Sequence, residues 1–286
     1  MDKKYLKEAA AIFTVDSQLN YVKQEDAINK SVCGLKIFDP PIFAFGTAND
    51  KYFKLLQNPS AVGKHFLLPT EWMPRAKTVI SFFLPFTDTV KKGNSIDSNR
   101  PSPEWLHGRI EGQEFLKSLS IHLKNELEKE GYHAVIPSLD KRFWAIEAAN
   151  LSEQDAENRI EYTSNWSERH VAYVCGLGTF GLSKGLITKA GMAGRIGSLI
   201  TDFEIDPDGR KYTEIYEYCS MCGACVRNCP VQAISLENGK NHQLCSEFLA
   251  KTKEIYNPRY GCGKCQVGVP CESRIPKKKS TVLKKE

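Results

Sequence analysis

Four cysteines, Cys219, Cys222, Cys225 and Cys229, form a Cys-x2-Cys-x2-Cys-x3-Cys run closed by Pro230, and nothing else in the 286-residue chain restricts its fold so tightly. Three thiolates on so short a loop reach three irons of one [4Fe–4S] cubane. The fourth cysteine opens a segment turned away from that loop and must reach a different cluster. Pro230 fixes the change of direction, and Gly223 and Ala224 keep the loop small enough for backbone to approach cluster sulfides. Thiolates are the soft ligands that iron–sulfur chemistry requires. Zinc would use four-cysteine sets without needing this spacing. A second set follows, Cys245, Cys262, Cys265 and Cys271. Eight of the ten cysteines therefore lie between Cys219 and Cys271. A disulfide scaffold is usually shorter and spreads its cysteines along the chain. Cys33 and Cys175 fall outside the motif and are expected to be small buried residues.

The run resembles that of bacterial two-cluster ferredoxins, which implies that the fourth ligands are exchanged. One [4Fe–4S] cluster then takes Cys219, Cys222, Cys225 and Cys271, and the other takes Cys229, Cys245, Cys262 and Cys265. Two adjacent clusters make a short electron wire. Such a wire needs a source and a terminus, and the terminus is expected in the rest of the chain.

The bulk numbers agree with a globular protein of one or two domains, since 41% of residues are hydrophobic and 26% charged. The longest apolar run, Val79 to Phe86, contains Ser81 and Pro85 and falls far short of the roughly 18 residues of a membrane helix. It reads as a buried strand. Neither an apolar signal core nor a twin-arginine pair follows Met1, so no membrane partner and a cytoplasmic location are expected. The net charge of +5 is mild, and Lys277, Lys278, Lys279, Lys284 and Lys285 carry part of it. That cluster reads as a solvated terminus, or as a contact for RNA or an acidic redox partner.

Residues 1–75 carry turn signals at Asp39-Pro40-Pro41 and Asn58-Pro59-Ser60 but no clear element. Ala76 to Leu84 predicts a central strand. Ser102 caps a long helix opening at Pro103, with Leu106, Ile110, Phe115, Leu119, Leu123 and Leu127 at near-helical spacing and Gly131 ending it. Strands are predicted over His133 to Leu139 and Ser198 to Ile205, and a polar helix over Leu151 to Arg159. The strand, long helix, strand order gives an α+β class, with an α/β layer over 1–210, a cluster domain over 211–276 and a basic tail over 277–286.

Gly176-Leu177-Gly178-Thr179-Phe180-Gly181 fits the dinucleotide pattern G-x-G-x-x-G, with Val171 to Val174 before it and Asp202 about 20 residues on. The glycines at 185, 191 and 194 would break the helix that a Rossmann site needs. The wider stretch, Glu168-Arg169-x-x-Ala172-x-x-Cys175-Gly176-Leu177-Gly178-x-x-Gly181, instead resembles the epoxyqueuosine reductases. So do Ile196 to Asp202, the run from Cys219 to Pro230, and Tyr260-Gly261-Cys262-x-x-Cys265-Gln266, in the same order. The resemblance is good from Ser164 to Cys271 and looser from Pro74 to Leu139. Departures include Thr179, Leu182 where that family has Lys, and Pro270 before rather than after the last cysteine. They place the chain among short relatives whose substrate need not be queuosine in tRNA.

The resemblance extends to the reductive dehalogenases. It implies a nitroreductase-like corrin-binding α/β domain followed by a two-[4Fe–4S] ferredoxin-like domain. Cobalamin would sit base-off between them and receive electrons from the nearer cluster. Glu168, Arg169, Gly176, Gly178, Gly181 and Gly197 are the expected cofactor-binding positions, with Glu168 and Arg169 pairing or holding cofactor side chains. An external donor such as ferredoxin or flavodoxin would supply electrons, and the substrate is a tRNA or a small molecule. A reduction of this kind needs a proton donor. Candidates are Glu111, one turn from Glu114 on the long helix, Asp140 in a turn with Lys141 and Arg142, and Tyr162, with Asn165 and Trp166 beside it. His107 and His170 are titratable but read as structural. The alternatives are a same-fold reductase using flavin or no organic cofactor, and a non-catalytic electron carrier.

Overall fold

The computed structural model describes residues 1–146 and 162–277. Its helices are α1 (Lys3–Asp16), α2 (Lys51–Leu55), α3 (Pro69–Trp72), α4 (Asp88–Ile96), α5 (Pro103–Lys129), α6 (Glu168–Cys175), α7 (Ala224–Arg227) and α8 (His242–Tyr256). A central sheet in the order β1-β2-β8-β3 is built from Ile42–Thr47, Thr78–Pro85, Gly194–Thr201 and Ala134–Val135, and every pair is antiparallel. Short hairpins pair β4 (Ala145–Ile146) with β5 (Thr163–Ser164), β6 (Gly178–Phe180) with β7 (Leu186–Thr188), and β9 (Ile234–Ser235) with β10 (Gly239–Lys240).

The apolar run of β2 is explained by burial on both faces. Ile80, Phe82 and Leu84 point to a core shared with α1 and α5, where they meet Leu6, Phe115, Leu119 and Leu123. Val79 and Phe83 point to a second core under α6, with Phe53, Phe66, Trp166 and Val171. The result is a three-layer mixed α/β body. Helix α5 begins as its sequence dictates: Pro103 is its first residue, and the Ser102 hydroxyl accepts from Trp105 N at 3.3 Å. Of the six predicted core positions on α5, five are buried, and only Ile110 is part-exposed.

Two expectations change. His133 to Leu139 is a strand only at Ala134–Val135, because Pro137 turns the chain into a 3-10 helix at Pro137–Leu139. Val171 to Val174 forms the body of α6, whose Gly176 cap has φ 96°. A helix entering the glycines is the wrong element for a Rossmann turn, in line with setting the dinucleotide pattern aside. Cys175 is buried as expected, whereas Cys33 is exposed. The helix predicted over Leu151 to Arg159 lies outside the described residues.

The cysteine segment packs onto the α/β body through backbone contacts. Met192 N donates to Cys271 O at 3.0 Å, and Ala193 N donates to Glu272 O at 3.1 Å. Asn94 donates to Cys262 O at 2.8 Å, and the buried Lys264 ammonium donates to Asn94 O at 2.6 Å. Trp105 fills the space against Gly263, where any Cβ would clash with its ring. Among the described residues no helix is long and apolar enough to cross a membrane.

Candidate functional site

The loop from Cys219 to Cys225 curls through left-handed backbone at Met221 (φ 50°) and Gly223 (φ 68°) before α7 begins at Ala224. Burial pushes Cys225 up to about 11 and Cys262 and Cys271 up to about 12, and it raises Cys265 as well. After burial, the repelling neighbours sort the cysteines. Cys271 feels Cys219, Cys225 and Cys222. Cys262 feels Cys265 and Cys245, and Cys265 feels Cys245 and Cys229. Cys225 also feels Cys265, so the two groups adjoin there. Buried thiols this hard to ionise give up their protons readily only to a metal. The backbone adds support, since Ala233 N donates to Cys229 Sγ at 3.2 Å. Among the described residues no three His, Cys, Asp or Glu side chains converge closely enough for a single metal ion, and cubane ligands stand apart at the corners of their cluster.

A narrow cleft is lined by Cys219, Cys222, Cys225 and Cys271 on one side and by Gly181, Ser183 and Met192 on the other. Gly181 is the expected cofactor glycine that reaches it. The other three serve the protein's own packing. Gly176 caps α6 with a left-handed φ, and a Cβ there would lie 2.5 Å from Gly209 O. Gly178 stands where a Cβ would clash with Ile187 O across the β6–β7 hairpin, and at Gly197 it would meet Phe82 Cζ at 2.6 Å.

Glu168 and Arg169 do not pair with each other. Glu168 Oε2 accepts from Ser198 Oγ at 2.7 Å, and Ser198 Oγ accepts from Trp166 Nε1 at 2.9 Å. Glu168 Oε1 is buried without a hydrogen-bond partner. Burial, only partly offset by the Ser198 bond, raises its carboxyl to about 8. Arg169 keeps an exposed surface although protein surrounds it; desolvation lowers it, and Cys265 and Cys245 favour its charge. His170 is pushed down to about 4 by burial and shares a 2.7 Å hydrogen bond with Ser167.

The proton-donor candidates separate clearly. At Glu111, burial raises the carboxyl, but hydrogen bonds from His107 and Arg259 outweigh it and the net shift is downward. Glu111 is a structural anchor, bridging α5 to Arg259. Its neighbour Glu114 is exposed and pairs with Lys117 at 2.8 Å. Asp140 is clamped by Arg142, whose Nε and terminal nitrogen donate at 2.9 and 2.8 Å and help hold the carboxyl near 2. Both stay ionised at neutral pH and have no proton to give. Asn165 and Trp166 face the interior, Asn165 bonding Arg142 O and Trp144 N, and Trp166 stacking on Phe66 at 5.5 Å. Tyr162 is half-buried, sits at φ 53° and lies 5.3 Å from the His242 ring of α8. A bulky residue in left-handed backbone is uncommon and concentrates at functional positions.

The sequence did not single out Arg109 and Arg195, which with Tyr260 line a second cleft. An arginine inside a β-strand, just ahead of its buried run from Gly197 to Thr201, was the available signal.

Residues 212–235 match the family model for a 4Fe-4S binding domain, which defines the class of the cysteine segment. Beyond that class, parts of the chain are similar to epoxyqueuosine reductases and to reductive dehalogenases. It is 31% identical to the epoxyqueuosine reductase of Listeria monocytogenes over 118 residues, 38% of this chain and 30% of that protein. It is 41% identical to a tetrachloroethene reductive dehalogenase of Desulfitobacterium hafniense over 68 residues, 23% of this chain and 12% of that protein. These matches span well under half the length of the curated relatives. The solved catabolic reductive dehalogenase NpRdhA, in complex with 3-bromo-4-hydroxybenzoic acid, superposes with a TM-score of 0.52. That match covers 82% of this chain and 30% of that one at 14% identity, which establishes a shared fold. These homologues are oxidoreductases.

Proposed function

We propose that the chain is an iron–sulfur reductase of the epoxyqueuosine reductase kind, with two [4Fe–4S] clusters and base-off cobalamin. The observation that carries the proposal is that Cys271 joins Cys219, Cys222 and Cys225 in lining one cleft against the glycine-rich hairpin, as an exchanged fourth ligand would. Cys219, Cys222, Cys225 and Cys271 would hold one cluster, and Cys229, Cys245, Cys262 and Cys265 the other. Residues 1–210 would be a nitroreductase-like cofactor and substrate domain, 211–276 the cluster domain, and 277–286 a basic tail. When bound, the clusters supply single electrons and cobalamin supplies the metal centre that delivers them to substrate.

The residues present suit a large ligand edged with hydrogen-bonding groups. Glu168, protonated near neutral pH, can donate through its unpartnered Oε1, and the neighbouring exposed Arg169 offers a cation. Ser198 and Trp166 fix the Glu168 carboxyl, so it needs no reorganisation to bind. Gly181 lines the cleft beside the first cysteine group, although a Cβ there would meet the Ile187 side chain at 3.2 Å. Tyr162 is the acid we assign to the substrate. A phenol can donate a proton, and the His242 ring packs against the Tyr162 ring. An external donor such as ferredoxin or flavodoxin would load the wire. The substrate would be a tRNA-borne nucleoside, as the names of the homologues suggest, or a small molecule.

Metal analysis of anaerobically prepared protein tests this reading. Two clusters require about eight irons and matching acid-labile sulfide per chain. About four irons would reject the ligand pairing, and stoichiometric zinc would reject the reductase altogether.

A further inference from the structure

Arg109 on α5 and Arg195 on β8 line one cleft of about 350 Å³ together with Ile110, Gln113, Tyr260 and the carboxylate-bearing Glu114. The Arg195 guanidinium donates to the Arg109 carbonyl, and the Arg109 guanidinium lies 4.3 Å over the Tyr260 ring. Neither arginine has an ion-pair partner among the described residues. The carboxylates nearby are taken, Glu111 by Arg259 and Glu114 by Lys117. Arg109 Nε is buried with no acceptor. A third cation, Arg169, is close enough to repel both, but Cys265 and Cys245 answer its charge. Burial first, then repulsion from Arg109 and Arg169, lowers Arg195 to about 9.

Two half-buried arginines lining one cleft, with no ion-pair partner and one buried donor unused, are unfavourable unless an anion shares the space. The planar forks of arginine match oxyanions, and two of them arriving from different elements suit a tetrahedral, doubly charged group better than a single carboxylate. Tyr260 holds one fork by its ring face and leaves the edge nitrogens free to donate.

We propose that Arg109 and Arg195 form an oxyanion site that takes the phosphate group of a ligand. The site rests on the reductase reading only in supposing that this ligand is the substrate or the cofactor. Isothermal titration of the full-length, cluster-loaded, cobalamin-free protein with inorganic phosphate tests it. One saturable site per chain is expected. Arg195→Gln and Arg109→Gln should each weaken it by roughly tenfold or more. Arg195→Lys keeps the charge and loses the fork, so an intermediate loss is expected from a variant that retains the fold. Arg75→Gln, at an exposed arginine beside Asp202, should change nothing.

Repeating the titration after loading with cobalamin, or with cobinamide, which lacks the phosphate, separates the two sources. Phosphate that still binds beside cobalamin places the site on the substrate. Phosphate excluded by cobalamin but not by cobinamide places it on the cofactor. Either result supports the site. No saturable binding, binding indifferent to both glutamine variants, or acetate held as tightly as phosphate would overturn it. Failure of the corrin to bind would instead sink the cobalamin reading and leave the phosphate titration readable.

Discussion

Replacing Glu168 with Gln keeps an oxygen that can accept from Ser198 and removes the ionisable proton. A single hydroxyl at 2.7 Å does not replace the water lost around a carboxylate, so burial raises the Glu168 carboxyl from 4.5 to about 8. The folded chain therefore holds this proton more tightly than the unfolded chain. Between about pH 4.5 and about pH 8 the native state keeps a proton that the unfolded state has released. Stability falls as pH rises across that window and levels off above it. At about 1.36 kcal/mol per pH unit the whole rise amounts to just under ~5 kcal/mol. The residue as a whole is only half-buried, and discounting the rise for that exposure leaves about 2–3 kcal/mol. Urea unfolding midpoints of cluster-loaded wild type and E168Q, measured at steps across that window, read this directly. The variant should gain steadily on wild type as pH rises and keep a constant lead beyond the upper end. A difference that is flat across the series, or wild type gaining with pH, would refute the argument and show an ionised Glu168 with a cationic partner.

Other substitutions test neighbouring parts of the account. Cys271→Ala should damage the cluster of Cys219, Cys222 and Cys225, and Cys229→Ala the other, as separate losses in electron paramagnetic resonance; if Cys229→Ala removed the cluster of its own loop, the pairing would be wrong. Gly178→Leu should destabilise the whole fold by more than about 2 kcal/mol, because the hairpin closes on Ile187 O, with a lower unfolding midpoint even without cofactor. Trp105→Ala, which empties the space against Gly263, should cost about 3–5 kcal/mol and speed loss of cluster absorbance. Asp140→Asn should leave turnover within about twofold while Tyr162→Phe lowers it by about a hundredfold or more, a ratio that reverses if Asp140 supplies the proton.

The elements that were legible in the sequence carry their signals locally. Ser102, Pro103 and Gly131 mark both ends of α5 with side chains and backbone that act within one turn. The run from Cys219 to Pro230 fixes its own chemistry in the same way. What the sequence hid depends on partners far along the chain. Strand β1 at Ile42–Thr47 is short and takes its place only by pairing with β2 in register from Ile42↔Phe83 to Thr47↔Thr78. Four apolar residues from Val171 to Val174 suit a strand or a helix equally, and the Gly176 cap with the packing of Trp166 decides for the helix. Glu168 looks paired with Arg169 by adjacency, yet on a helix consecutive side chains diverge, and Glu168 instead meets Ser198 on β8. Three of the four expected cofactor glycines proved to serve close approach within the protein, which a pattern of glycines alone does not distinguish from an approach to a ligand.

The central claim is that the cluster wire ends at a corrin held by this chain. Optical titration of anaerobic, cluster-loaded protein with hydroxocobalamin tests it most directly, because release of the lower base shifts the corrin spectrum. The account predicts a saturable change to the base-off form at one equivalent per chain. No saturable change, together with stoichiometric binding of flavin in its place, would contradict it.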